Sequence, residues 1–126
     1  MKKHLLSIGA IIIAVLLVAF TPAKSHRSLQ SMYVFEYDPT ASGGYQEANV
    51  ENESNLHWKF VGIDEDLCDN DLIRACRVAV TGSYVNSTSN PTALSGVTIE
   101  AQESSTGVAY VTSITAPTEN QFSNKE

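Results

Sequence analysis

Apolar and polar residues alternate along five segments of the chain, which is typical of strands with one face toward a core. The five segments are 31–38, 56–63, 76–85, 96–104 and 107–115. They are rich in Val, Ile, Tyr and Thr, the residue types that favour strands. The sequence therefore predicts a mainly β fold, either a small antiparallel sheet or a sandwich.

Turn signals add detail to this prediction. Ser104-Ser105-Thr106 separates the last two segments, and Gly107 can take a left-handed turn position, which predicts a β-hairpin. One short helical turn is predicted in the loop between the two cysteines, where an Asp or Asn within 69–71 can cap residues 72–74. Residues 116–126 have little apolar surface to bury, so we expect a flexible tail after a domain at 24–115.

The amino-terminal segment has the layout of a secretory signal peptide. Lys2 and Lys3 precede an apolar run at 5–20, and small residues follow it. A membrane-spanning helix needs roughly 20 apolar residues, and this run is shorter. The sequence predicts that residues 1–23 are a signal peptide, with cleavage after Ala23 or Ser25, and that the protein is periplasmic or extracellular.

The charge of the chain narrows the choice of partners. The formal net charge is −6 at pH 7, and it becomes −8 when the signal peptide removes Lys2 and Lys3. Nucleic-acid binding needs a basic face, and attachment to anionic lipid needs basic clusters. We therefore expect neither nucleic acid nor, after signal removal, a membrane as partner. The expected partner is therefore an extracytoplasmic protein or a glycan.

Residues 64–78 hold five of the fourteen acids and both cysteines, which raises the question of a metal site. Structural zinc needs four ligands, usually in two close pairs, and this segment has one pair. A calcium loop needs glycine at position 6 and glutamate at position 12. Counted from Asp64, those positions are Asp69 and Ala75. A loose, non-standard calcium site stays an alternative, but we predict no metal and no cofactor.

The two cysteines favour a structural role. Cys68 and Cys76 are eight positions apart, whereas a thioredoxin-type motif has only two residues between its cysteines. An exported chain meets an oxidising compartment, where an even number of cysteines pairs readily. The sequence predicts a structural disulfide between Cys68 and Cys76.

The sequence offers little support for catalysis. Of the histidines, His26 and His57 remain after export, and His57 lies in an alternating segment with no nucleophile motif. We interpret His57 as a hydrogen-bonded strand residue and predict no catalytic residue. The expected function is a non-catalytic structural or interaction module at the cell envelope.

The alternative function is metal handling by the mature amino terminus. Cleavage after Ala23 would leave Lys24-Ser25-His26 at the start of the chain. The α-amine, two amide nitrogens and the imidazole can then form a square-planar set of four nitrogens, which suits Cu(II) or Ni(II).

Aromatic residues recur in the predicted strands at Tyr33, Phe35, Tyr37, Trp58 and Tyr110. An exposed aromatic stripe would indicate a surface for a glycan or a protein. The same residues facing inward would form a core, which is the interpretation we favour.

Over residues 1–81 the chain resembles a family of small exported bacterial proteins of the Bacteroidota type, known as a domain of unknown function. The shared features are the signal peptide without a lipid-anchor cysteine, the strand with Trp58, the Cys68–Cys76 pair, and the Val78/Val80 strand. The resemblance implies secretion and a disulfide, and no activity. Segment 82–118 departs from the family pattern, and we expect it to be an added hairpin.

Overall fold

The computed structural model describes residues 30–126. The predicted signal peptide at 1–23 and the metal-binding candidate Lys24-Ser25-His26 lie outside the described residues. Within residues 30–126, no helix is long and apolar enough to cross a membrane.

Strands dominate the described part of the chain, which confirms the predicted mainly β fold. The strands are β1 (Tyr33–Tyr37), β2 (Trp58–Ile63), β3 (Arg74–Val80), β4 (Ile99–Ser105), β5 (Val108–Ile114) and β6 (Gln121–Lys125). Two four-residue helices, α1 (Pro39–Ser42) and α2 (Glu47–Val50), and a 3-10 turn at Gly82–Tyr84 connect them.

The strands form two antiparallel sheets. The larger sheet has the order β2-β1-β3-β6, and the smaller sheet is the β4–β5 hairpin. The hairpin prediction is confirmed, and Gly107 has the left-handed φ of 73° that its turn requires. Ile99, Val111 and Ile114 of the hairpin belong to the core cluster. Segment 82–118 therefore contributes residues to the core.

The aromatic residues of β1 and β2 fill the space between the two sheets, as the core interpretation predicts. Tyr110 does not fit that interpretation, because it is half-buried outside the core cluster and donates to Gln102 Oε1. Tyr37 and Trp58 pack edge to face with their ring centroids 5.1 Å apart. Trp58 is fully buried, and its Nε1–H donates to the Val50 carbonyl of α2 at 3.0 Å. This bond fixes α2 against the larger sheet.

Residues 116–126 are not the flexible tail that the sequence predicts, because β6 pairs with β3 along residues 121–125. Two buried asparagines hold this segment in place. The Asn124 side chain accepts from Val111 N at 2.8 Å and donates to Val111 O at 3.0 Å. Asn120 accepts from Thr81 N and donates to Thr115 O. Each amide thus replaces a missing backbone partner and joins the hairpin to the larger sheet.

The predicted helical turn between the cysteines is also absent. Residues 69–71 have no helical structure, residues 72–73 form a turn, and β3 already begins at Arg74. Strand pairing explains the difference, because Arg74 pairs with Lys125 of β6. The short helices lie instead between β1 and β2.

Helix α1 begins at a capping aspartate, and this cap leads to a prediction on pH dependence. Asp38 accepts from Thr40 N and Ala41 N and pairs with Lys59. The hydrogen bond from Lys59, followed by that from Ala41, lowers the pKa of Asp38 from 3.8 to about 2. A lowered folded-state pKa stabilises the fold above pH 3.8, and this contribution is lost as the pH falls toward 2.

We expect an NMR titration of the Asp38 carboxyl to show this low pKa in the wild-type protein. In Lys59→Met the pKa should move up toward 3.8. An unchanged pKa in the variant would mean that Lys59 does not cause the shift.

Candidate functional site

The Cys68–Cys76 disulfide is present and anchors the acidic segment to β3. The two Cα atoms are 6.4 Å apart, and Cys76 lies at a bulge between Ala75 and Arg77. We call residues 64–73 the acidic strap. The disulfide indicates an oxidising, non-cytoplasmic environment.

The first part of the acidic strap lies on the outer face of the larger sheet, and its end reaches the hairpin, where Ser104 Oγ donates to Ile73 O at 2.6 Å. Cys68 N donates to Ser123 Oγ at 2.9 Å, and Arg77 Nη1 donates to the Asp66 carbonyl at 2.6 Å. A Cβ atom at Gly62 would lie 2.5 Å from Glu65 Cγ, so glycine lets the strap lie close to β2. Val34 pairs with Gly62 on one side and Ala79 on the other, and it is fully buried.

An open cleft of about 620 Å³ separates part of the strap from the sheet. We call it the end cleft, because it lies where β2 and β3 end and where β1 and β6 begin. Its walls include Met32, Asp64, Glu65, Leu67, Thr81 and Glu119. Residues distant in sequence thus meet at one end of the sheet, in a cleft of a size typical for ligand sites.

Asp64 lines this cleft and forms the turn at which the chain leaves β2 and enters the strap. Its φ is +56°, a left-handed value that aspartate tolerates better than most residues. Met32 N donates to Asp64 Oδ1 at 2.8 Å, and Asp64 N donates to Met32 O at 2.8 Å. These two bonds hold the turn that leads from β2 into the strap.

The end cleft is acidic, and the described chain does not neutralise it. Residues 30–126 contain all fourteen acids and four of the eight Lys and Arg residues, a net charge of −10. The ion pairs in this range are Lys59–Asp38 and Arg77–Glu36, both outside the cleft. Within the same range, neither Glu65 nor Glu119 forms an ion pair.

A buried hydroxyl group lines the same cleft. Thr81 follows Val80, which faces the core, so by strand alternation its side chain is directed to the outer face. Thr81 is 3% exposed, and its Oγ1 has no hydrogen-bond partner among the residues described. Leaving a buried hydroxyl unpaired costs about 1–3 kcal/mol, so a ligand that hydrogen-bonds Thr81 would recover this energy.

His57 differs from the sequence prediction in two respects. It lies just before β2 and not within a strand, although its carbonyl accepts from Asp38 N at 2.8 Å. Its Nδ1 is buried and has no hydrogen-bond partner in the described part of the chain. The side chain is therefore not the hydrogen-bonded strand histidine that the sequence predicts.

The carboxylates of the end cleft are not arranged as a metal centre. Among residues 30–126, no three His, Cys, Asp or Glu side chains are close enough together to hold one ion. Asp64, Glu65 and Glu119 share one cleft without converging on one point.

No family model matches the chain, and no curated protein or solved structure matches it. The resemblance to a family of exported bacterial proteins therefore stays a prediction. Sequence reasoning found the disulfide and the acidic segment but missed Thr81 and Glu119. Both lie outside the recognised motifs, and only the pairing of β3 with β6 brings them to the strap.

Proposed function

We propose that the protein is a non-catalytic interaction module that works outside the cytoplasm and binds another protein. The observation that supports this most strongly is the exposure of aliphatic side chains at β2. Val61 is 41% exposed, Ile63 is 48% exposed, and Leu56, just before the strand, is 64% exposed. Exposed apolar groups that cluster on one element favour a contact surface.

The position of β2 adds to this support. It is an edge strand of the larger sheet, with β1 as its neighbour on one side. An edge strand offers backbone N–H and C=O groups to a strand from a partner, with its side chains adding specificity. Val61 is the residue of β2 left without a partner at the irregularity in the β1–β2 register.

The exposed side chains favour a protein over a glycan. The large hydrophobic residues that are exposed within residues 30–126 are Leu56, Val61, Ile63, Leu72 and Ile73, all aliphatic. Sugar rings bind best to the flat faces of aromatic side chains, and here the rings of Tyr37 and Trp58 pack in the core. Aliphatic side chains suit the apolar groups of a partner protein.

The place of action follows from the disulfide together with the predicted signal peptide. An oxidising compartment is where the Cys68–Cys76 bond persists. Removal of residues 1–23 would release the module into the periplasm or the medium.

Site-specific photo-cross-linking in the producing cell tests this function. We expect a benzophenone amino acid at Val61 to yield a discrete protein adduct, because this side chain lies at the proposed contact. The matched control is the same amino acid at Ser105, which is exposed at the far end of the hairpin. Adducts at both positions alike, or at neither, would contradict a partner surface at β2.

A further inference from the structure

We propose that the end cleft binds an arginine side chain of the partner protein. This inference rests on the proposed function, and it adds the chemistry that the partner must present. Asp64 and Glu65 directly follow Ile63, so a partner lying along β2 reaches the cleft at the end of that strand. Four properties of the cleft support a guanidinium as the bound group.

The first property is charge. Glu65 and Glu119 line the cleft, and neither forms an ion pair within residues 30–126. The net charge of −10 over this range raises the local concentration of cations and opposes a second copy of the chain. The complementary partner surface is basic.

The second property is the spread of the acceptors. The carboxylates of Asp64, Glu65 and Glu119 are not grouped as metal ligands. A guanidinium carries five N–H donors in a planar fork and can reach separated oxygens, whereas a metal ion needs them around one point. An ammonium group is a compact charge and would serve fewer of these acceptors.

The third property is the buried hydroxyl of Thr81. It is 3% exposed, it lines the cleft, and its oxygen has no hydrogen-bond partner within the described range. Arginine has donors and no acceptors, so it can satisfy this oxygen without competing with the carboxylates. The Thr81 oxygen is buried, so donation by a bound guanidinium requires a change of χ1 rotamer that turns the oxygen into the cleft.

The fourth property is the apolar wall formed by Met32 and Leu67. Arginine has a three-carbon stem that packs against apolar surface while its charged end stays among polar groups. The cleft thus matches both ends of the side chain.

A second acidic cleft provides a comparison within the same molecule. It is lined by Glu47, Glu51 and Glu103, beside α2 and the hairpin turn. Ala101 N already donates to Glu51 Oε1 at 3.1 Å, so this carboxylate serves the edge of β4. No buried side-chain atom without a hydrogen-bond partner lines this second cleft, within residues 30–126. The two clefts share their charge, and only the end cleft has the buried hydroxyl.

The test is an NMR titration of the processed, disulfide-intact protein with the peptide acetyl-Leu-Arg-Leu-amide at low ionic strength. We expect amide shifts at Asp64, Glu65, Thr81 and Glu119. The double variant Glu65→Gln/Glu119→Gln should weaken binding about tenfold, because two exposed ion pairs are lost. Glu47→Gln/Glu103→Gln removes the same charge from the second cleft and should leave the affinity nearly unchanged.

Two peptide analogues define the bound group. The citrulline analogue keeps the shape of arginine without its charge, and we expect it to bind much more weakly. Equal binding of this analogue, equal weakening by both double variants, or shifts centred on Glu47 and Glu103 would overturn the inference. A lysine analogue that binds more tightly would overturn the assignment of a guanidinium.

The two proposals fail separately. If the arginine peptide does not bind at the end cleft but the cross-linked adduct forms at Val61, the arginine site is overturned and the interaction module is still supported. Loss of the adduct at Val61, with the peptide still bound at the end cleft, overturns the β2 surface and supports the cleft.

Discussion

Replacing Asn124 with aspartate should lower the free energy of unfolding by about 3–5 kcal/mol, the effect expected of an uncompensated buried charge. Asn124 is fully buried and satisfies both backbone groups of Val111. Aspartate keeps the acceptor for Val111 N but places a second oxygen against Val111 O, where a donor is needed. This loss approaches the whole stability of a small domain.

Urea unfolding followed by the fluorescence of Trp58, the one tryptophan of the chain, measures this change. The matched control is Asn90→Asp, which adds the same charge in an exposed loop and should change stability by less than about 0.5 kcal/mol. Acidification should recover part of the loss, because a protonated carboxyl can donate to Val111 O. Similar unfolding midpoints for the two variants would contradict the bridging role of Asn124.

Removing the disulfide should cost about 2.5 kcal/mol in the chain-entropy estimate for a loop of this length. The cysteines are eight positions apart, and Cys76 is buried at the bulge of β3. The double variant Cys68→Ala/Cys76→Ala is the suitable change. A single substitution would leave a free thiol, and serine at position 76 would bury a hydroxyl group. We expect the double variant to match the reduced wild-type protein in urea unfolding.

Reductant supplies the control for the disulfide prediction. It should lower the unfolding midpoint of the wild-type protein and leave that of the double variant unchanged. A wild-type midpoint that does not respond to reductant would contradict a stabilising role for the Cys68–Cys76 bond.

The strands that the sequence predicts share a physical property, which is alternation of apolar side chains against a hydrophobic core. β6 does not meet this criterion, because its sequence Gln121-Phe122-Ser123-Asn124-Lys125 has a single large apolar residue. Its inward-facing Asn124 is held by hydrogen bonds to a strand of the other sheet. Such a partner is not visible in the local sequence.

The short helices show which local signals were present and which were not. Asp38-Pro39 is a capping residue followed by proline at the first helical position, which is a known helix start signal and is visible in the sequence. α2 has no side-chain cap at Gln46, and the bond from Trp58 to Val50 holds it. That contact depends on the tertiary fold.

The candidate site was predictable only in part. The disulfide and the acidic strap are contiguous in sequence, so composition and spacing indicate them. The end cleft also needs Thr81 from the end of β3 and Glu119 from the turn before β6. Their proximity follows from the register in which Ala79 pairs with Gln121.

The Thr81→Val variant tests most directly whether the end cleft holds a guanidinium. Valine has nearly the shape of threonine and removes the unpaired buried hydroxyl, so the melting temperature should rise by about 4–8 °C for a gain of about 1 kcal/mol. The affinity for acetyl-Leu-Arg-Leu-amide should fall at least about threefold, because one acceptor is lost. Higher stability with weaker binding is the predicted result. Unchanged affinity, or lower stability together with weaker binding, would contradict the guanidinium site.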